Sequence, residues 1–312
     1  MEEASVAFCP GHISGYFCPV RGPDLTTTGS IGAGLVISEG VTSSVCSAGR
    51  SRTDIVRTSF QGDVIERIRG SPPIEQAMDR LGVEARVETR CRLPLSAGFG
   101  LSAAALISTI SALNDYFSLG MTTLECCALA HETEVTGMTG LGDVAACQGG
   151  GIDCRKGAGI SGEIIRLPPP PMPVYAVTFG PLPSPGVLGS GTAMDQVARA
   201  FPARCPASIH EFLALSRKFA EDSGLITPDV RKALASCDRE GIAASMTMIG
   251  NGIFAYGTQA GTILSGFGEV FELRVAPVSS ECMCIRSRIS GGPRGMTMGD
   301  IPHPPDGGRR DV

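Results

Sequence analysis

Two periodicities that cannot belong to one element meet at Pro94–Ala105, Pro-Leu-Ser-Ala-Gly-Phe-Gly-Leu-Ser-Ala-Ala-Ala. Before it, Val83, Ala85, Val87, Thr89, Cys91 and Leu93 alternate with Glu84, Arg86, Glu88, Arg90 and Arg92. That is the period-two pattern of a half-buried strand. After it, Leu106, Ile110, Leu113 and Phe117 recur at helical spacing, and Ala103–Ala105 are strong helix formers. A strand must therefore turn into a helix through a loop carrying Gly98 and Gly100. Glycine lets backbone approach a ligand closely, and a helix start offers unpaired N–H groups at the positive end of its dipole. Such a junction suits an anion, most often phosphate. An ordinary strand-to-helix turn has the same pattern, and a short glycine motif alone does not separate the two.

The remaining sequence narrows the class. A chain of 312 residues can build two domains with cores of their own, and 43% hydrophobic content suits a globular protein. A net charge of −5, no basic run beyond Arg309-Arg310 and no Trp argue against a nucleic-acid partner. The longest apolar run, around Leu101–Leu113, is too short and polar to span a bilayer, so no membrane association is expected. The start, Met1-Glu2-Glu3, is acidic where a secretory signal is basic. The twelve cysteines are scattered with no C-x-x-C spacing, which predicts no disulfide framework and a reduced cytoplasmic setting.

In chain order, a first strand is expected at Ser5–Cys9, ending at Pro10-Gly11-His12-Ile13-Ser14-Gly15, and another begins at Leu35–Ile37 after a polar, Gly-rich stretch. Thr122 or Thr123 should cap a helix with Glu125 in its first turn. On that helix Leu124, Ala128, His131 and Val135 form one stripe, with Glu134 and Glu132 on opposite flanks. Thr139-Gly140-Leu141-Gly142-Asp143 follows as a tight loop. Pro168–Pro171 and Pro173 make a stiff linker, which divides the chain into residues 1–167 and 168–290. Beyond it, helices are expected at Thr192–Ala200, Ala207–Glu221, Asp229–Ala235 and Ile242–Met248. Glu269–Val275 and Glu281–Ile289 read as a closing pair of strands, and residues 291–312 as a disordered tail.

Several phosphate-handling designs are excluded. No glycine precedes any of the three lysines (Lys156, Lys218, Lys232), so there is no Walker loop. H-R-D and D-F-G are absent, which excludes a protein kinase. Ala103 stands where a dinucleotide fingerprint needs its third glycine. With four histidines and no Cys/His cluster, a zinc site is not expected.

Gly98-Phe99-Gly100-Leu101-Ser102-Ala103-Ala104 resembles the G-L-G-S-S-A-A signature of the GHMP kinases, with Leu101 replacing one serine. Three further strings more closely resemble the archaeal pantoate kinase family: Pro10–Phe17, Gly29–Gly34 and Thr139–Val144. The resemblance reaches to about Arg288. It implies an α+β protein with a GHMP kinase fold, an N-terminal mixed α/β domain and a C-terminal ferredoxin-like domain. It also implies transfer of phosphate from ATP, with Mg2+, to the hydroxyl of a small substrate, pantoate, on the archaeal route to coenzyme A. A homodimer is compatible with it.

By this resemblance, Pro94, Ala97, Gly98, Phe99, Gly100, Leu101, Ser102 and Ala103 hold the nucleotide phosphates. Ser102 and Glu134 ligate the metal, a hard cation that takes oxygen ligands. Glu132 competes with Glu134 for that role. Asp143 orients or accepts the substrate hydroxyl proton, where a turn Asp bonding its own backbone is the ordinary alternative. Ser30, His131, Arg155 and Ser184 bind the substrate, with Arg155 matching a carboxylate through its guanidinium fork. A core histidine and a surface arginine are the ordinary readings of His131 and Arg155. Gly250-Asn251-Gly252 resembles the third family signature, closing on the nucleotide from the second domain. Two alternatives stay open: a kinase of another small alcohol such as shikimate, homoserine or mevalonate, and a non-catalytic ligand sensor. The retention of Ser102, Glu134 and Asp143 favours catalysis over the sensor.

Overall fold

The computed structural model describes residues 3–182, 191–279 and 284–290. Strands β1 (Glu3–Val20) and β2 (Gly29–Ser47) pair antiparallel along nearly their whole length, with register shifts at Pro10/Gly11 and Ser14/Tyr16. They are followed by β3 (Arg52–Thr58), β4 (Val64–Arg69), α1 (Pro72–Leu81) and β5 (Ala85–Cys91). β5 lies antiparallel to β2 and parallel to β3, so the sheet is mixed. Helix α2 (Leu101–Phe117) packs across β1 and β2 and is buried around most of its circumference.

Next come α3 (Thr123–Gly137), α4 (Asp143–Cys147), β6 (Ile152–Arg155) and β7 (Ile164–Leu167), with β6 pairing the first part of β2. The expected cap at Thr122 is a full capping box with Glu125. Past the proline run, β8 (Val174–Thr178), α5 (Gly191–Ala200), α6 (Ile209–Asp222), α7 (Pro228–Arg239), β9 (Ala244–Met246), β10 (Gly252–Tyr256), α8 (Ala260–Leu264) and β11 (Phe271–Leu273) build a second layer. Its sheet is four-stranded and antiparallel, in the order β11-β8-β10-β9. Strand β12 (Ile285–Ser290) returns to the first sheet and pairs with β1. Helix α6 packs on both β1 and β9, and the rings of Tyr16 and Phe17 meet Phe212 and Phe219 at this seam.

Four local expectations are corrected. β1 does not end at Pro10: a proline beside a register shift need not donate to the ladder, so the strand continues. Ile242–Met248 contains a strand, not a helix, because pairing with β10 and burial under α6 override the helical preference of Ala and Met. The two closing strands do not pair with each other: β11 lies beside β8 and β12 beside β1. Finally, Cys154 and Cys205 form a disulfide, with Cα atoms 5.6 Å apart, where unlinked thiols are expected. They lie 51 residues apart, so only the fold brings them together. The predicted tail, 291–312, lies outside the described residues.

Candidate active site

The loop between β5 and α2 is bent by three residues in the left-handed region: Ser96, Gly98 and Gly100, with φ of 54°, 84° and 61°. Gly100 occupies the cap position of α2, leaving the helix's first N–H groups open to a ligand. Both sheets clamp this loop. From β1, the His12 backbone N–H donates to the Phe99 carbonyl at 2.9 Å. From the turn between β9 and β10, the Thr247 hydroxyl donates to the Ala97 carbonyl at 3.1 Å. A Cβ on Gly250 would stand 2.3 Å from that same carbonyl, so the turn fits only without a side chain there.

The loop forms one wall of a cavity of about 390 Å3. Pro94, Ala97, Gly98, Phe99, Gly100, Leu101, Ser102 and Ala103 all line it. Val41, Ile55, Ile68 and Ile74 give it apolar lining, and Ser30, Glu134 and Asp143 line it as well.

The carboxylates come from α3 and α4. Glu134 is 1% exposed and is hydrogen-bonded by the Thr139 hydroxyl at 2.9 Å and by Ser102. Burial, and then the charge of Asp143, push its carboxyl up to about 7 against those two hydrogen bonds. Glu132 points elsewhere, into an ion pair with Arg80 at the surface. Asp143 is the first residue of α4 rather than a loop residue, and it stays partly solvent-accessible. Gly140 separates the two acids: a Cβ there would lie 2.1 Å from Glu134 Oε2 and 3.1 Å from Asp143 Oδ2. Oxygen donors from Ser102 and Glu134 converging beside the cradle suit a hard divalent cation.

Behind Asp143 runs a buried row of charges. His12 Nδ1 is 2.6 Å from Asp143 Oδ1, and His12 Nε2 is 2.7 Å from Asp153 Oδ1. Asp153 also accepts a hydrogen bond from Arg155 Nη1. Asp153 and Arg155 stand two apart on β6, so both side chains project from the same face of the strand. Burial opposes charge on His12, but the Asp153 charge and the hydrogen bonds to both acids reverse it and raise the ring to about 9. Asp153 lies well below the usual carboxylate range: Arg155 and His12 overcome the cost of burial.

Arg155 is 2% exposed, yet its Nε has no hydrogen-bond partner among the described residues. A Cβ on Gly142 would meet Ser30 Oγ at 2.5 Å and Arg155 Nε at 2.8 Å, so these two polar atoms converge on one backbone position beside Asp143. His131 is not brought into this group. It is buried in α3 with Nε2 2.8 Å from the Thr28 carbonyl, and burial lowers its affinity for a proton. Ser184 lies outside the described residues. The residue that sequence reasoning passed over is His12. Its only signal was its place inside the Pro10–Phe17 string, since a single histidine on a strand carries no periodic pattern.

A glycine cradle at a helix start, with the buried Glu134 and the partly accessible Asp143 beside it, suits a small-molecule phosphotransferase. A model described as the GHMP kinases N terminal domain matches residues 71–151. A pantoate kinase from Methanospirillum hungatei JF-1 is 45% identical over 271 residues, covering 87% of this chain and 93% of that protein. A pantoate kinase from Thermococcus kodakarensis is 29% identical over 80% of this chain and 86% of that protein. A solved structure described as a phosphotransferase related to the CoA biosynthesis pathway superposes with a TM-score of 0.72 at 24% identity. That match covers 92% of this chain and all of the other, and it establishes the shared fold. The chain belongs to the pantoate kinase family of the GHMP kinases.

Proposed function

We propose that this protein transfers the terminal phosphoryl group of ATP to the hydroxyl of pantoate, giving 4-phosphopantoate for coenzyme A synthesis. The observation that carries the reading is the buried Arg155 Nε, without a hydrogen-bond partner among the described residues, converging with Ser30 Oγ on Gly142, next to Asp143. A carboxylate taken by Arg155 and Ser30 would leave the substrate hydroxyl near Asp143. The backbone of Gly98–Leu101 would hold the phosphates, a task given to lysine elsewhere, and Ser102 with Glu134 would hold Mg2+. When bound, the metal neutralises developing charge on the transferred group. Asp143 then orients the hydroxyl and receives its proton, because a neutral alcohol is a poor nucleophile.

In this reading residues 1–167 carry the cradle and the acids, and residues 168–290 supply the Gly250–Gly252 turn that closes on the cradle. Among the described residues no helix is long and apolar enough to cross a membrane. ADP release with ATP and Mg2+, measured across pantoate, homoserine, shikimate and mevalonate, is the test. Turnover confined to pantoate supports the reading. Turnover with another of the four and none with pantoate refutes the substrate and leaves the kinase, whereas silence with all four refutes both.

A further inference from the structure

Cys154 and Cys205 join the two layers of the fold covalently. Cys154 is the third residue of β6, in the first sheet, and Cys205 lies in the segment 201–208 between α5 and α6. Across the ladder Tyr16 pairs with Ala33 and Ala33 with Cys154, so the three stand in one row with their side chains on one face. Ala33 is small, and Tyr16 and Cys154 reach past it to the same segment. The Tyr16 hydroxyl donates to the Arg204 carbonyl at 2.8 Å, its ring meets that of Phe201 at 6.0 Å, and Cys154 bonds Cys205. Asp153 and Arg155 flank Cys154 and so project from the opposite face of β6, the face that carries the buried row behind Asp143.

Resting on the phosphotransfer reading above, we propose that the Cys154–Cys205 pair is a redox switch on substrate affinity: the closed bond fixes β6, and with it Arg155, in the geometry that takes the hydroxy acid, and opening the bond weakens that grip. β6 has four residues, so a covalent anchor at its third acts on Arg155 through one peptide bond. The same bond pins the entry to α6. Phe212 and Ser216 of that helix pack so tightly on Gly15 of β1 that a Cβ there would stand within 2.6 Å of both. With the bond open, the Tyr16 contacts still hold the segment, but noncovalently, so the junction loosens without unfolding.

The two sulfurs differ in access, which sets the order of steps. Cys154 is 6% exposed and Cys205 is half-buried, so an incoming small thiolate attacks Cys205. A new S–S bond forms there, and the Cys154 thiolate leaves and takes a proton. A second small thiol attacks the small-molecule sulfur of that mixed disulfide and releases Cys205 as a thiol. In total one protein disulfide and two small thiols give two protein thiols and one small disulfide, with two electrons passing to the protein. The small disulfide is the oxidant of the reverse reaction. The cradle stands apart from this junction, clamped through Phe99 by the His12 N–H and through Ala97 by the Thr247 hydroxyl, so nucleotide affinity should not follow the bond. Linkage is reciprocal: the factor by which the bond raises substrate affinity is the factor by which bound substrate favours the bond.

The test compares full-length protein oxidised with glutathione disulfide and reduced with dithiothreitol. Alkylation under denaturing conditions, mapped by mass spectrometry, should find Cys154 and Cys205 blocked in the first form and free in the second. For the acid turned over in the ADP-release panel, pantoate by the reading above, reduction should raise KM about fivefold or more and leave the KM for ATP unchanged. Cys205→Ser should match the reduced wild type in either redox state. Independently of turnover, the wild-type pair is equilibrated in a glutathione buffer, where saturating amounts of that acid should shift the equilibrium toward the closed bond by the same factor. An equal KM in both states, an equilibrium indifferent to the acid, or a redox effect that persists in Cys205→Ser overturns the proposal while the kinase reading stands. An oxidised form in which both cysteines remain alkylatable overturns it as well. Silence of the panel in both states refutes the phosphotransfer reading and this proposal with it. If Cys205→Ser does not fold, the wild-type measurements decide alone.

Discussion

Gly140→Ala is the substitution that most directly challenges this site. Gly140 is not among the residues with positive φ, so alanine can adopt its backbone conformation. The three atoms nearest its methyl would belong to the two acids: Glu134 Oε2 at 2.1 Å, Glu134 Cδ at 3.0 Å and Asp143 Oδ2 at 3.1 Å. Restoring an ordinary contact of 3.4 Å moves Glu134 Oε2 by roughly 1.3 Å. Glu134 cannot swing into solvent at no cost, because it is buried and bonded by Ser102 and Thr139. Losing one hydrogen bond to a charged group costs about 1.5–3 kcal/mol, and a misplacement of about 1 Å in a catalytic constellation costs on the order of 100-fold. The two estimates agree, since about 2.7 kcal/mol corresponds to 100-fold in rate. Steady-state ADP release should therefore show kcat down by about two orders of magnitude, a raised Mg2+ requirement and an unchanged circular-dichroism spectrum. A kcat within threefold of wild type, with the fold intact, refutes the placement of these acids around Gly140.

Asp143→Asn should retain nucleotide binding by calorimetry while kcat falls by about 10²–10⁴-fold; full turnover would remove Asp143 from its role. Glu134 titrates higher in the folded protein than in the unfolded chain. Its contribution to stability is thus present at low pH and is lost as pH rises from its unfolded value of 4.5 through about 7. Without divalent cation, Glu134→Gln should be more stable than wild type at pH 8, on the order of 3 kcal/mol, with the gap closing by pH 5 in urea titrations. Adding Mg2+ should stabilise wild type and not the variant. Cys205→Ser opens a loop closed across 51 residues and should lower stability by about 4 kcal/mol under oxidising conditions. Wild type in excess reductant should lose the same amount.

The sequence by itself determined the elements with strong local signals. The alternation through Val83–Leu93, the alanine-rich start of α2, the Thr122 box and the stop at Gly137 appear where the pattern puts them. These are decided by contacts within a few residues, which periodicity and capping record directly. The cradle was legible for the same reason, and so was the presence of acids at 134 and 143. What the chain could not show is anything set by pairing across long separations. Ile242–Met248 carries helix-forming residues, and only the neighbouring strand makes it a strand. β12 finds β1 from the far end of the chain, and Cys154 finds Cys205.

The same limit governs the site. Glu132 and Glu134 sit two apart on one helix, and the direction each faces is set by what packs against it. Arg80 takes one, and the cavity takes the other. Thr28 takes the His131 ring, while β1 carries His12 past both Asp143 and Asp153. Those partners lie 131 and 141 residues away. Local sequence therefore supplied a glycine cradle and the acids beside it. Only the tertiary structure, by stacking β1 against α4 and β6, assembled the charged row that stands behind Asp143.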